Sequence, residues 1–509
     1  MNHGPEHQFQ ITREWQILFA LLLAAFVVRC IFFSGGIRGS DAFVYAQYAY
    51  DIASGNYNLD SIHGWYGFRY SVLLPTAFSF MIFGVNDVSS CIFPYIFSLL
   101  NIVVVFQLGK IIFNMEIAII ASGLLIIYPL NIGNANCVGP DSFIPFLSTL
   151  AILCYIMVEE NASSNHRKIL LLLLSGILIA LAYMARVTSI FMFFALAIYQ
   201  LFHKKYTTFL WMAIGLSIPL IVEALYFYLY TGDPFFEIHR ITSLAQVNMV
   251  KNDYDFGLLF FPKNMLGFDL SGLATYGFTW WFVVGGLAVL WLQRESKALL
   301  IVVCLVIPFY GFEFGFQSLN EGILIGKSAN YLALITGPAM IISAYFIYHI
   351  FIFIRTKFGA KSIAIFTVSI IILISMHFYG LYRLYINAGN DAAPYIAVAE
   401  YLIKKPCSTV YIHHYRWPLF LKYFLRYDSS YTFRDMNKID EEELNNLSNV
   451  FVVFNRRYLE ADVIGRPVSQ KTVYAKYEKN PPPNWKKVVS FSGAPPYNSV
   501  VLYYIAAAK

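Results

Sequence analysis

Two aspartates and four cations stand where this chain leaves its apolar runs, and their types suit group transfer at a membrane surface. Asp41 lies near the start of "SDAFVYAQYAYDIASGNY", directly after the first long apolar run, and Asp141 lies in "NANCVGPDSFIPF", at the head of another. A carboxylate held at such a place can take the proton of an acceptor hydroxyl. Arg69 lies in "YGFRYSVLL", Arg186 in "AYMARVTS", Arg240 in "DPFFEIHRI", and Lys327 with Tyr331 in "GKSANYLAL". Guanidinium and ammonium groups make charge-assisted hydrogen bonds to phosphate oxygens, so together they suggest a basic cluster for phosphate or pyrophosphate. Each residue also has a plainer reading. Ser40 or Asp41 would cap a helix, Asp141 would do the same after Pro140, and each cation would snorkel to lipid phosphates.

The elements that must position these groups follow from composition and period. The chain has 509 residues, 58% hydrophobic and only 13% charged, about half the charged fraction of a soluble protein. Several runs exceed the roughly 18–20 apolar residues that cross a bilayer. Spans are expected at 15–33, 88–109, 115–131, 142–158, 169–185, 188–202, 208–230, 277–292, 299–315, 330–354 and 362–385. The stretch 70–84, interrupted by Pro75, is short and is read as a re-entrant or interfacial helix. The short loops holding Arg13, Lys110, Arg167 with Lys168, Lys204 with Lys205, Arg294 with Lys297, and Arg355 with Lys357 and Lys361 then share one side. The positive-inside rule makes that side cytoplasmic, with the N-terminus on it. The loops 34–87, 132–141, 231–276 and 316–329 lie outside. A net charge of +6 fits this loop bias and not nucleic-acid binding. The first run lacks a small-residue cleavage site and reads as an uncleaved span. The six cysteines show no metal or disulfide spacing. Arg29 sits near the outer end of its run and would snorkel.

Residues 41–54 read as a helix at the external interface. Asp41, Tyr45, Tyr48 and Ile52 share one stripe, and Ala42, Ala46, Ala49 and Ala53 form a small-residue stripe beside it. Gly55 suits the stop. From about residue 388 the composition changes to that of an external α/β domain. "AAPYIAVAEYLIKK" and "DEEELNNLS" read as helices, "STVYIHH", "NVFVVFN" and "SVVLYYI" as strands, and "NPPPNW" as a turn or loop. The expected organisation is a polytopic helical membrane domain over 1–387, with about eleven spans and interfacial helices in its first external loop, and a soluble domain over 388–509.

The order and spacing of these segments resemble the GT-C membrane glycosyltransferases, in particular the protein O-mannosyltransferase and aminoarabinose transferase group. The resemblance runs through "SDAFVYAQYAYDIASGNY", "FGVND", "PDSFIPFLSTLAI", "GILIALAYMARVTS", "TGDPFFEIHR" and "KSANYLALITGP". It implies an inverting transfer of a sugar from a polyprenyl-phosphate donor to a glycan, lipid or protein acceptor on the external face. It matches Asp41 to the catalytic aspartate of the first external loop and Asp141 to a second loop aspartate. Arg69, Arg186 and Arg240 would bind the donor phosphate, with Tyr45, Lys327 and Tyr331 near the donor. The chain departs from the family pattern in having Ala42 where relatives carry a second acid and Asn330 where they carry an arginine. No cofactor is implied. A divalent cation between Asp41 and Asp141 stays open, since two hard oxygen ligands invite one. The expected location is a bacterial inner (plasma) membrane, with membrane lipid around the spans and no nucleic-acid partner. Two alternatives stay open: a multi-pass lipid or saccharide flippase, which would show internal repeats and mid-membrane charges, and an inactive relative serving in assembly. Glu223, inside an apolar run, is unexplained by either reading.

Overall fold

The structure is a computed structural model. It describes residues 5–506 apart from 38, 63, 161–163, 242–258, 268–271, 273–274, 319–322, 325–326, 360, 406–407, 413–416, 437–441, 444–445, 456–479 and 492–499. In chain order its first helices are α1 (Pro5–Ile31), α2 (Gly39–Ala53), α3 (Tyr70–Phe83), α4 (Asp87–Ile112), α5 (Met115–Ile127) and α6 (Pro129–Ala135). There follow α7 (Phe143–Glu160), α8 (Asn165–Ala185), α9 (Ile190–Phe202), α10 (Tyr206–Thr231), α11 (Phe260–Met265), α12 (Thr279–Gln293) and α13 (Leu299–Phe314). A short antiparallel pair, β1 (Phe316–Ser318) and β2 (Ile323–Leu324), precedes α14 (Thr336–Phe358).

Among the described residues, eight helices are long and apolar enough to cross a membrane, or nine if α5 and α6, bent by 60°, form one broken span. The break falls at Pro129, which cannot continue the hydrogen-bond ladder of α5. Two expected spans correspond to shorter apolar helices, Val187–Phe202 and Thr279–Gln293. The interrupted stretch at 70–84 is a helix of 14 residues with Pro75 inside it. At about 1.5 Å per residue such a helix falls well short of a hydrocarbon core about 30 Å thick.

The chain divides into two units. The first comprises Met1–Phe33, Tyr57–Thr76 and Cys91–Tyr385. Its helices close together on small residues. A Cβ on Gly176 of α8 would lie 2.1 Å from the Met212 carbonyl oxygen of α10, and one on Gly215 would lie 2.2 Å from that of Leu173. Only glycine permits this backbone approach, which in lipid replaces the hydrophobic drive that water would supply. Arg29 does not snorkel as the sequence suggests. It is 0% exposed, and its guanidinium donates to Ser98 Oγ at 3.0 and 2.7 Å and to the Ala25 carbonyl at 3.1 Å. A hydroxyl on the neighbouring helix satisfies it more closely than the distant interface would.

The second unit comprises Ser34–Asn56, Ala77–Ser90 and Ile386–Lys509, and so contains α2, which the sequence places with the membrane domain. One helix, α15 (Lys361–Ile403), runs through the composition change that suggests two separate helices. After it come β3 (Ser408–Ile412), α16 (Trp417–Phe424), β4 (Tyr431–Asp435), β5 (Val450–Asn455), β6 (Trp485–Phe491) and β7 (Val500–Ile505). The sheet order is β4-β3-β5-β7-β6, with β3 parallel to β4 and β5, and β7 antiparallel to β5 and β6. The β3-to-β4 connection carries α16, as a parallel pair requires a crossover. Tyr411, Val452, Phe454, Trp485 and Tyr503 project to one face and form its core. The strands at 431–435 and 485–491 are not expected from the sequence, because adjacent charges, Arg434 with Asp435 and Lys486 with Lys487, mask their period. Of the expected helix at 440–448, Glu442 and Glu443 are helical, and residues 440–441 and 444–445 lie outside the described residues.

Candidate active site

In the first unit the site is built where α7 begins and α8 ends. The amides of Phe143 and Ile144, in the first turn of α7, bond to the Pro140 carbonyl at 3.1 and 3.0 Å. Asp141 stands in that entry turn. Arg186 caps α8 in extended conformation, its amide bonded to the Ala182 carbonyl at 2.9 Å. A carboxylate at a helix start and a cation at a helix end each suit the local dipole. Here the two ends meet, and Arg186 Nη2 lies 2.6 Å from Asp141 Oδ1, each side chain 12% exposed.

Arg186 has two further supports. Its Nη1 donates to the Asn330 carbonyl at 3.1 Å, and its guanidinium lies over the Tyr331 ring at 5.0 Å. Tyr331 in turn stacks on Phe312 of α13 at 5.9 Å. Two segments far apart in the chain therefore fix one guanidinium. A cation placed this way needs little reorganisation before it meets an anion.

Lys327 is placed otherwise. Its ammonium pairs with Glu313 at 2.6 Å, and both side chains are 0% exposed. The Glu313 carboxylate also accepts the amides of Phe260 at 3.0 Å and Phe261 at 2.9 Å, the first turn of α11. The pair joins the end of α13 to α11 and to the segment before Tyr331. Glu313 is a residue that sequence reasoning missed. The signal was available, since an acid in the apolar run "LLIVVCLVIPFYGFEF" needs a partner.

Arg69 and Arg240 belong to a different part of the same unit. Arg240 clamps the turn at 59–62, donating to the Asp60 carbonyl at 3.1 Å and to that of Ile62 at 3.3 and 3.4 Å. Arg69 lies over the Tyr66 ring at 5.8 Å. Burial pushes the Glu237 carboxyl up to about 7, and the charge of Arg69 opposes that rise. Thus Asp141, Arg186 and Tyr331 come together, Lys327 adjoins them through its own buried pair, and Arg69 and Arg240 serve the 57–70 loop.

Asp41 and Tyr45 lie in the second unit. Helix α2 begins at Gly39, so Asp41 stands inside the first turn and not at the cap. Its side chain is exposed. Tyr45 is 2% exposed, and Ala42, Ala46 and Ala49 are buried at 1% or less, as the small-residue stripe requires. Among the described residues no three His, Cys, Asp or Glu side chains gather as a metal site.

The sequence model of the dolichyl-phosphate-mannose-protein mannosyltransferase family matches residues 73–227. No curated protein matches the sequence. The fold is similar to that of ArnT from Cupriavidus metallidurans bound to undecaprenyl phosphate, with TM-score 0.62, 13% identity, and coverage of 96% of this chain and 99% of that one. The apo state of the same protein matches with TM-score 0.60 and 12% identity, over 98% of this chain and 100% of the other. The apo oligosaccharyltransferase of Archaeoglobus fulgidus matches with TM-score 0.53 and 13% identity, over 88% of this chain and 70% of the other. The chain shares the overall fold of these solved proteins, a polytopic helical membrane part with a C-terminal sheet domain.

Proposed function

We propose that this protein is an inverting glycosyltransferase that moves a sugar from a polyprenyl-phosphate donor to a hydroxyl acceptor at the external face of a bacterial inner membrane. The observation that carries this reading is the guanidinium of Arg186, held by Asp141, Asn330 and Tyr331 within a fold similar to that of a protein solved with undecaprenyl phosphate. In the reaction the acceptor oxygen attacks the anomeric carbon, the bond from that carbon to the phosphate oxygen breaks, and polyprenyl phosphate leaves as the anion. Arg186 stabilises the charge that develops on the leaving phosphate. Asp41 takes the acceptor's proton. Asp141 orients Arg186. Lys327 contributes through the pair it makes with Glu313, which fixes the segment leading to Tyr331. Basic loops on one side support an N-terminus in the cytoplasm and residues 388–509 outside.

The test is transfer of label from polyprenyl-phosphate sugars to envelope acceptors in membranes carrying wild type or Asp41→Asn. Loss of transfer by Asp41→Asn at equal expression supports the reading. Movement of labelled donor across the bilayer with no label on any acceptor would replace it with a flippase.

A further inference from the structure

Helix α2 carries Asp41, and the second unit grips that helix at three places. Near its start, Phe43 is 4% exposed and sits among four rings. They are Phe420 at 4.2 Å, Tyr423 and Phe424 at 5.7 Å each, and Tyr395 at 6.3 Å. Near its end, Tyr50 stacks on Tyr427 at 4.1 Å with the rings 6° from parallel. The third place is the chain that enters α2. A Cβ on Gly36 would lie 2.4 Å from the Asp87 carbonyl oxygen and 2.7 Å from Ser90 Cβ. The entering chain therefore rests directly on the first turn of α4.

Tyr423 of α16 joins two of these places. Its side chain is 0% exposed. Its hydroxyl donates to Asp87 Oδ1 at 3.0 Å and lies 2.7 Å from Ser90 Oγ, while its ring meets Phe43 edge-on at 82°. One residue of the C-terminal domain thus touches both the side chain two positions after Asp41 and the turn on which the approach to α2 lies. A buried phenol is an unusually stiff strut, since two torsions set it and both its ring and its hydroxyl are engaged.

From this geometry we infer that Tyr423 is a positioning residue for Asp41, and that residues 386–509 are part of the catalytic scaffold. The inference rests on Asp41 being the base. Misplacing a reacting group by about 1 Å can cost about 10²-fold in rate. Loss of the hydroxyl should therefore reduce kcat while leaving donor binding alone.

The experiment compares wild type, Asp41→Asn, Tyr423→Phe and Phe43→Leu in detergent. It reads kcat, the KM for a polyprenyl-phosphate sugar and the melting temperature. The expected result is that Tyr423→Phe lowers kcat about tenfold or more, with donor KM and melting temperature unchanged, and that Phe43→Leu shows the same split. Should Tyr423→Phe fail to fold, Phe43→Leu decides. Wild-type kcat in both variants, with Asp41→Asn inactive, overturns the inference and leaves the base assignment standing. An equal loss in kcat, donor binding and melting temperature also overturns it, because Tyr423 would then hold the fold in general. Full transfer by Asp41→Asn removes the base assignment, and the inference with it.

Discussion

The Arg186 junction and the α2 helix hold their functional groups by opposite means. Arg186 is compensated by a carboxylate, a carbonyl and a ring face. Asp41 stands exposed on a helix whose fastening is made by rings at Phe43 and Tyr50. A nine-tenths buried cation must be neutralised where it sits, or its desolvation would exceed any gain. An exposed carboxylate keeps much of its hydration, so its desolvation cost is small. Charge and a ring face hold Arg186, whereas aromatic packing fastens the helix that carries Asp41.

The largest effect is expected at Asp41. Asp41→Asn is expected to lower transfer by about 10²- to 10⁴-fold with an unchanged melting temperature. A comparable fall in stability instead would mean that the acid only serves the dipole of α2. Next comes Glu313→Leu, which leaves Lys327 buried without its counter-charge. It is expected to destabilise the protein by about 3–5 kcal/mol, read as a lower unfolding midpoint. Adding Lys327→Leu should restore most of that loss, short of about 1–3 kcal/mol for the orphaned amides of Phe260 and Phe261. If the double variant restores the midpoint and transfer together, Lys327 acts through the fold and not as a phosphate ligand. Arg186→Lys keeps the charge but loses the planar fork that reaches both Asp141 and the Asn330 carbonyl. Donor KM is expected to rise about tenfold, and an unchanged KM would remove Arg186 from the donor site.

The smallest expected effect concerns Glu237, whose carboxyl is raised to about 7. A raised carboxyl pKa adds stability below its unfolded value, and that share is lost as the pH rises through the folded value. Between about pH 4.5 and 7 the melting temperature should therefore carry a downward component that Glu237→Gln removes. A flat difference between the two proteins across that window would show that Arg69 offsets the burial completely.

Hydrophobic run length, glycine and proline positions, and loop charge made the polytopic character readable from the chain alone. So did the helix after the first span and three of the five strands of the C-terminal sheet, because these are local patterns with a fixed period. Asp141, Arg186 and Tyr331 could be nominated by type and place. Their union could not, since it depends on the end of α8 meeting the start of α7 and on a segment some 140 residues later supplying Asn330 and Tyr331. Glu313 was visible as an acid in an apolar run but had no readable partner. The grouping of α2 with residues 386–509 was likewise out of reach, because aromatic packing such as that of Phe43 against Phe420 and Tyr423 is non-directional and leaves no spacing in the sequence. The sequence by itself determined which chemistry the chain could carry and where the membrane would bound it. Only the tertiary structure decided which charges neutralise one another and which unit holds the helix that carries Asp41, because desolvation and packing depend on neighbours that chain order does not name.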